Sequence, residues 1–194
     1  MTREQVETAV KQKGFVWFDG AKDYDLNIIG IRNSIPNNKV TNKFDDTITV
    51  SYKLKGKWKF HLWKCTTDPG RLGVIKFRNK EGVARLVEGQ YRAAYAIGLH
   101  QGKYEALTQM KPVRVYRDNN RDMKYDESRI KSGIFGINIH KAGEDSTNVE
   151  NWSEGCQVFK KSADFDSFMA IVKKSAKIHG SIFTYTLIES SDIK

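Results

Sequence analysis

The chain has 194 residues, of which 39% are hydrophobic and 11% aromatic, with only 3 prolines; that composition excludes a disordered protein and fits one domain, with or without a small N-terminal addition. A chain of this length buries about 70% of its unfolded surface and needs no metal or disulfide staple. The net charge of +10, from 33 basic and 23 acidic residues, suits an anionic partner such as a bacterial envelope polymer, an anionic lipid surface or nucleic acid. The basic residues are spread along the whole chain, with no basic helix or finger spacing and no interleaved aromatics, so a nucleic-acid binder ranks last.

Residues 2–13 read as a helix: Thr2 and Gln5 form a capping-box pattern, Val6, Ala9 and Val10 make an apolar stripe, and Gly14 stops it. The start, Met1-Thr2-Arg3-Glu4-Gln5, lacks the apolar run of a secretory signal, and no stretch approaches a membrane span. Synthesis in the cytoplasm and a monomer are the expectations. A strand over 26–32 follows, then a polar segment, 33–46, containing Pro36-Asn37-Asn38. That segment is the candidate boundary between an appendage, 1–46, which is expected to be part of the same domain, and a β-rich body, 47–194.

Residues 47–54 alternate with period two, Lys55-Gly56-Lys57 turns, and 58–65 returns, which predicts a hairpin. His61 and Cys65 share a face of the returning strand, but two ligands with no third beside them favour packing over a metal site. Cys65 and Cys156 are the only cysteines and make no disulfide framework, so both read as free thiols. Thr66-Thr67-Asp68-Pro69-Gly70 is a turn, and a short strand is expected over 73–78. The Gly-punctuated region 91–109 reads as irregular, with a short helix over 104–109.

Residues 112–118 read as a strand ending in Arg117 and Asp118, and 119–132 as a surface excursion. Asp118, Asn120 and Asp122 alternate like the first ligands of a calcium loop. The Gly and closing Glu of an EF-hand are not in place, which sets that reading aside, and no metal or other cofactor is implied. After residue 159, Ser162-Ala163-Asp164 starts a helix whose apolar face is Phe165, Phe168, Met169, Ile171, Val172 and Ala176, ended by Gly180. A strand over 182–188 closes the chain.

Between these lies the stretch that carries chemistry. Phe135-Gly136-Ile137-Asn138-Ile139-His140 ends on an imidazole, and Trp152-Ser153-Glu154-Gly155-Cys156-Gln157-Val158-Phe159 brings a thiol after a small-residue turn. A Cys and a His at neighbouring strand ends can form a thiolate–imidazolium pair with a thiol pKa lowered toward neutrality. Gly155 permits a sharp turn and leaves the amides around Cys156 open to an oxyanion, while Ser153 can orient the imidazole or the substrate. A structural role is the competing reading, since an isolated Cys is often a small buried hydrophobe.

The order His, loop, Ser-x-Gly-Cys, with sixteen residues from His140 to Cys156, resembles the signature of the L,D-transpeptidase superfamily of peptidoglycan enzymes. The longer pattern is similar to small bacteriophage- and host-encoded proteins described as murein hydrolases. The turn at 66–70 looks like a loose version of one those domains carry. Lys141, Glu154 and Val158 stand where the family has Gly, a second His and Arg. The resemblance implies an α+β, mainly β fold: an L,D-transpeptidase-like β-sandwich or barrel core, with an N-terminal helix and a C-terminal helix packed on the sheet. It also implies Cys156 as nucleophile, His140 as base, Ser153 and Gly155 as supports, and peptidoglycan stem peptides as substrate, reached after release or export. Substrate contacts are expected among Asn138, Trp152, Glu154, Arg117, Asp118, His100 and Tyr91, although an unpartnered loop histidine is the plainer reading of His100. The alternative is a non-catalytic envelope- or virion-binding module on the same scaffold.

Overall fold

The computed structural model describes residues 1–35 and 38–194; Pro36 and Asn37 of the polar loop lie outside the described residues. In chain order, α1 (Arg3–Gln12) leads to β1 (Asn27–Arg32) and the hairpin of β2 (Asp46–Leu54) and β3 (Lys57–Thr66). Next come α2 (Arg71–Ile75), β4 (Val83–Leu86), β5 (Gly89–His100), β6 (Tyr104–Gln109) and β7 (Val113–Asp118). The short strands β8 (Ile130–Gly133), β9 (Ile139–Lys141) and β10 (Gln157–Phe159) precede α3 (Ser162–His179) and β11 (Ile182–Glu189).

Eight strands close into a barrel in the order β1-β11-β5-β6-β9-β10-β3-β2, and β4-β7-β8 form a separate small sheet. The fold is therefore mainly β, and closure leaves the barrel without open edges. β1 is bonded to β2 on one side and to β11 on the other, so residues 1–46 supply a barrel strand as well as a helix. Within the barrel, β1 runs parallel to β11 and β9 parallel to β10. α1 is capped as its sequence implies: Gln5 N–H donates to Thr2 Oγ1 at 3.3 Å, and Thr2 N–H to Gln5 Oε1 at 2.9 Å. Its Val6, Ala9 and Val10 pack on Ile29, Ile31 and Ile188. α3 lays Phe165, Phe168, Met169, Ile171 and Val172 into the main core, against Phe159 and the other face of the barrel strands. Among the described residues no helix is long and apolar enough to cross a membrane.

Two expected elements are corrected. Residues 71–75 form the short helix α2, where a strand over 73–78 was expected; its first bonds run back to Gly70, as in Val74 N–H to Gly70 O at 3.0 Å. Residues 89–109 form the hairpin β5–β6, where irregular structure and a short helix were expected. The turn takes left-handed φ at Gln101 (51°) and Gly102 (71°). The cause of the misreading is a bulge: Ala93 sits at φ 50°, opposite a register shift between Phe183 and Tyr185. A bulge inverts the alternation, so period two is lost midway along the strand. The pairing of His61 and Cys65 is one of packing: His61 stacks between Tyr52 and Trp63, and Cys65 is buried in the main core.

One polar knot ties β1, β11 and the turn at 66–70 together. Arg32 is fully buried; it meets Asp68 at 2.9 Å, Glu88 at 3.3 Å and Glu189 at 3.7 Å, and it donates to Leu86 O at 2.8 Å. Asp68 also pairs with Arg85 at 2.8 Å, and although burial raises its carboxyl, the two guanidinium groups hold it below the usual carboxylate range. Asp46 accepts from the Thr67 N–H and hydroxyl at 2.6 and 2.8 Å; burial, with Asp68 adding, pushes its carboxyl up to about 7. Removing one partner of such a set leaves uncompensated buried charge. Arg32→Met is therefore expected to cost about 3–5 kcal/mol of stability, read as a lowered urea midpoint. An unchanged midpoint would show that the knot contributes little.

Candidate active site

The parallel pairing of β9 and β10 sets Ile139 opposite Gln157 and His140 opposite Val158. One step earlier, Gln157 N–H donates to Asn138 O at 2.9 Å, so Cys156 stands beside Asn138 and diagonal to His140. Paired residues share a face, so Asn138, His140, Cys156 and Val158 point one way while Ile139 and Gln157 point the other. Strand spacing and rise put the Cα atoms of Cys156 and His140 about 8 Å apart.

The imidazole is held from one side. His140 Nδ1 donates to Lys141 O at 2.9 Å, and the Tyr104 hydroxyl donates to the same carbonyl at 3.3 Å. That leaves Nε2 as the unprotonated nitrogen, with no hydrogen-bond partner among the described residues. His100 stacks face to face on His140, with ring centroids 3.9 Å apart. Its Nδ1 accepts from the Asn138 amide at 3.1 Å, and Asn138 Oδ1 accepts from Gln109 N–H at 3.0 Å. His100, read from sequence as an unpartnered loop residue, is thus a buried neighbour of the candidate base.

The thiol is held by backbone. Cys156 Sγ donates to Gly136 O at 3.3 Å and accepts from Asn138 N–H at 3.4 Å, so its hydrogen bonds go to the 136–138 segment and not to the imidazole. Ser153 is buried and corrects its expected role: its hydroxyl donates to Cys156 O at 2.9 Å and accepts from Gly155 N–H at 3.1 Å. It shapes the thiol-bearing turn and touches neither the imidazole nor the space before the sulfur. Gly155 has φ 142°, and a Cβ there would lie 2.1 Å from Ala84 O, so no other residue fits. Since its N–H is taken by Ser153, the amide left for an oxyanion is that of Cys156, which has no acceptor among the described residues.

A cavity of about 310 Å³ opens at the sulfur, lined among others by Cys156, Gly155, Glu154, Arg117, Phe135 and Ile134. Arg117 comes from β7; it stacks over the Phe135 ring at 4.8 Å and donates through Nη1 to Gly82 O at 3.0 Å. Its buried Nε has no hydrogen-bond partner among the described residues but forms an ion pair with Glu81 at 3.8 Å. The other expected contacts lie elsewhere. Asp118 faces the loop after β7, Trp152 is exposed beside Gly143, and the Tyr91 hydroxyl is taken by Val87 O at 2.5 Å. Two supports escaped the sequence reading. Gln157 donates to Gly155 O at 3.1 Å and accepts from the buried Tyr185 hydroxyl at 2.8 Å, fixing the turn from inside the barrel. The available signal was a glutamine at an inward position of an apolar strand.

Charge on the pair differs from the expectation. Burial pushes the Cys156 thiol up to about 11, with the Asn138 N–H opposing this and Glu154 adding to it. Burial, with His100 adding, brings His140 down to about 4 against the pull of the Lys141 carbonyl. At neutral pH the resting site therefore holds a neutral thiol and a neutral imidazole, where a thiolate–imidazolium pair was expected. Scanning protein-family models and searching curated proteins and solved structures finds no match to the chain.

A thiol held this high has a thiolate fraction that grows about tenfold per pH unit until the pKa is approached. Alkylation of Cys156 by iodoacetamide, followed by mass spectrometry, is expected to accelerate by about that factor per unit from neutrality to near pH 10. A rate already level near pH 7 would mean that the resting thiol is ionised after all.

Proposed function

We propose that the protein is a cysteine enzyme of the L,D-transpeptidase kind, acting on peptidoglycan stem peptides as a phage-type murein hydrolase. The observation that carries this is the sulfur at a cavity with an amide of its own, one strand from an imidazole whose Nδ1 is anchored, that amide and Nε2 both having no partner among the described residues. The neutral imidazole, kept so above about pH 4, is the form able to accept a proton. The mechanism requires a χ1 rotation of Cys156 that takes Sγ from the Gly136 carbonyl to His140 Nε2. Sγ then attacks the substrate carbonyl as the proton passes to Nε2, and the Cys156 N–H receives the oxyanion. Collapse expels the amine, which takes the proton from His140, and leaves a thioester. Water or a second amine releases the acyl group, giving hydrolysis or exchange.

The cavity offers Arg117 to a carboxylate and Glu154 to an amine, a pairing suited to the zwitterionic end of a residue such as diaminopimelate. By its resemblance the chain would cut after an L-configured centre. Val158, at the family's Arg position, is buried with Phe44, Ala142 and Val149. The missing Arg and second His tilt the proposal toward hydrolysis, and the cation that lines the cavity is Arg117 of β7. A surface of net charge +10 would draw the protein to anionic wall polymers once released from the cell.

An inert envelope- or virion-binding module on the same scaffold is favoured by two observations, the raised thiol and the hydrogen bond from sulfur to Gly136. Mass spectrometry of muropeptides separates the two. Wild-type protein is expected to trim or exchange stem peptides, and Cys156→Ala to lose at least about 10³-fold of that turnover with its fold intact. Undiminished turnover in the variant, or none in the wild type, ends the enzymatic proposal.

A further inference from the structure

A second imidazole lies against the candidate base and takes no part in the chemistry described above. His100 ends β5 and is 7% exposed, and its ring stacks on that of His140 with centroids 3.9 Å apart and planes 17° apart. The two strands are not paired with each other; β6 lies between them, setting Tyr104 opposite His100 and Leu107 opposite Ile139. His100 is itself held in place. The Asn138 amide donates to its Nδ1 at 3.1 Å, and Asn138 Oδ1 accepts from Gln109 N–H at 3.0 Å. The Tyr104 ring, whose hydroxyl shares the Lys141 carbonyl with His140, stands 5.6 Å from the His100 ring.

One hydrogen bond, from Nδ1 to Lys141 O, leaves the His140 ring free to pivot about that atom. A flat group packed on its face, and locked by hydrogen bonds of its own, removes that freedom. Asn138 also donates its backbone N–H to Cys156 Sγ at 3.4 Å. One residue thus touches the thiol with its main chain and the stacked imidazole with its side chain. Charge agrees with this geometry. Burial, with His100 adding, brings His140 down to about 4, and burial, with Lys103 adding, lowers His100; two imidazoles this close disfavour a proton on either. The other titratable groups around His140 among the described residues are Tyr104 from β6 and Cys156 before β10, both raised by burial. Lys141, on its own strand, turns to Asp166 of α3 at 3.4 Å.

We propose that His100 is a positioning residue for His140: it bears on the face of the imidazole and holds the ring in the orientation that leaves Nε2 without a partner, and Asn138 ties that brace to the thiol. His100 does not line the cavity at the sulfur, so its effect on a reaction there runs through His140. The inference rests on the reading of His140 as the base, but its first measurement does not need turnover.

The test is an NMR titration of the histidine rings in the full chain, from about pH 8 to about pH 3, with muropeptide kinetics beside it. In His100→Ala, whose vacated slot admits water, the His140 pKa is expected to rise by at least about one unit. The kcat is expected to fall about 10²-fold with KM within about twofold. His100→Gln keeps an acceptor for Asn138 but loses the flat ring; it is expected to behave alike, and it serves if His100→Ala does not fold. His100→Phe keeps a flat ring in the slot and is expected to return His140 to its wild-type titration and kcat to within about tenfold of wild type. Wild-type titration of His140 in the ring-less variants, or a loss of kcat that His100→Phe does not restore, would overturn the proposal. Absence of turnover in the wild-type protein would end the enzymatic reading alone, and the titration of His140 would still decide this one.

Discussion

The pairing of two three-residue strands, β9 and β10, is the constraint on which the rest depends. They are the shortest members of the barrel and join β6 to β3, so closure passes through them. Their register also decides which side chains meet. A slip of one residue would turn His140 into the core and Ile139 out to the thiol face. So few ladder bonds do not by themselves fix a register, and side-chain contacts across the barrel complete it. Gln157 reaches inward to the Tyr185 hydroxyl on β11. Tyr185 is in turn crowded against Gly30 of β1, where a Cβ would lie 1.8 Å from its oxygen. A glycine far from the thiol thus makes room for the hydroxyl that steadies the residue after it.

The same economy links the charged knot to the site. The turn that carries Asp68 packs directly beneath the segment bearing Ser153: Gly70 N–H donates to Ser153 O at 2.9 Å, and a Cβ on Gly73 would lie 2.7 Å from that oxygen. Arg32 holds Asp68, Asp68 holds the turn, and the turn supports the thiol loop. Burying the site this deeply has an electrostatic consequence. Both reactive groups are driven toward their neutral forms, because the low-dielectric surroundings that position them disfavour charge on either. Proton transfer between them would then accompany attack on a carbonyl, not precede it.

Elements with an undisturbed period and clear caps were legible in the sequence: α1 from its Thr2–Gln5 box, the β2–β3 hairpin from its alternation around Lys55-Gly56, and α3 from its aromatic face. What hid β5 was the left-handed Ala93, which inverts the pattern within a single strand. The Cys156 and His140 positions were legible because both bracket one loop. Their neighbours were not, since His100 is 40 residues from His140 and meets it only through the pairing of β5 with β6 and of β6 with β9. Ser153 was found but misassigned: its spacing from Cys156 is visible in sequence, whereas the direction of its hydroxyl is set by the positive φ of Gly155.

β7 is where these threads meet. Successive residues of a strand face opposite sides, so Arg117 lines the Cys156 cavity while Asp118 faces the loop after β7. Arg117 has little freedom of its own, being stacked on Phe135 and bonded to Gly82 O, with its Nε 3.8 Å from Glu81 and without a hydrogen bond among the described residues. A buried donor that reaches only an ion-pair distance from Glu81, beside an open cavity, can complete its hydrogen bonding either by closing on Glu81 or by taking an acceptor that arrives from solvent, such as a carboxylate.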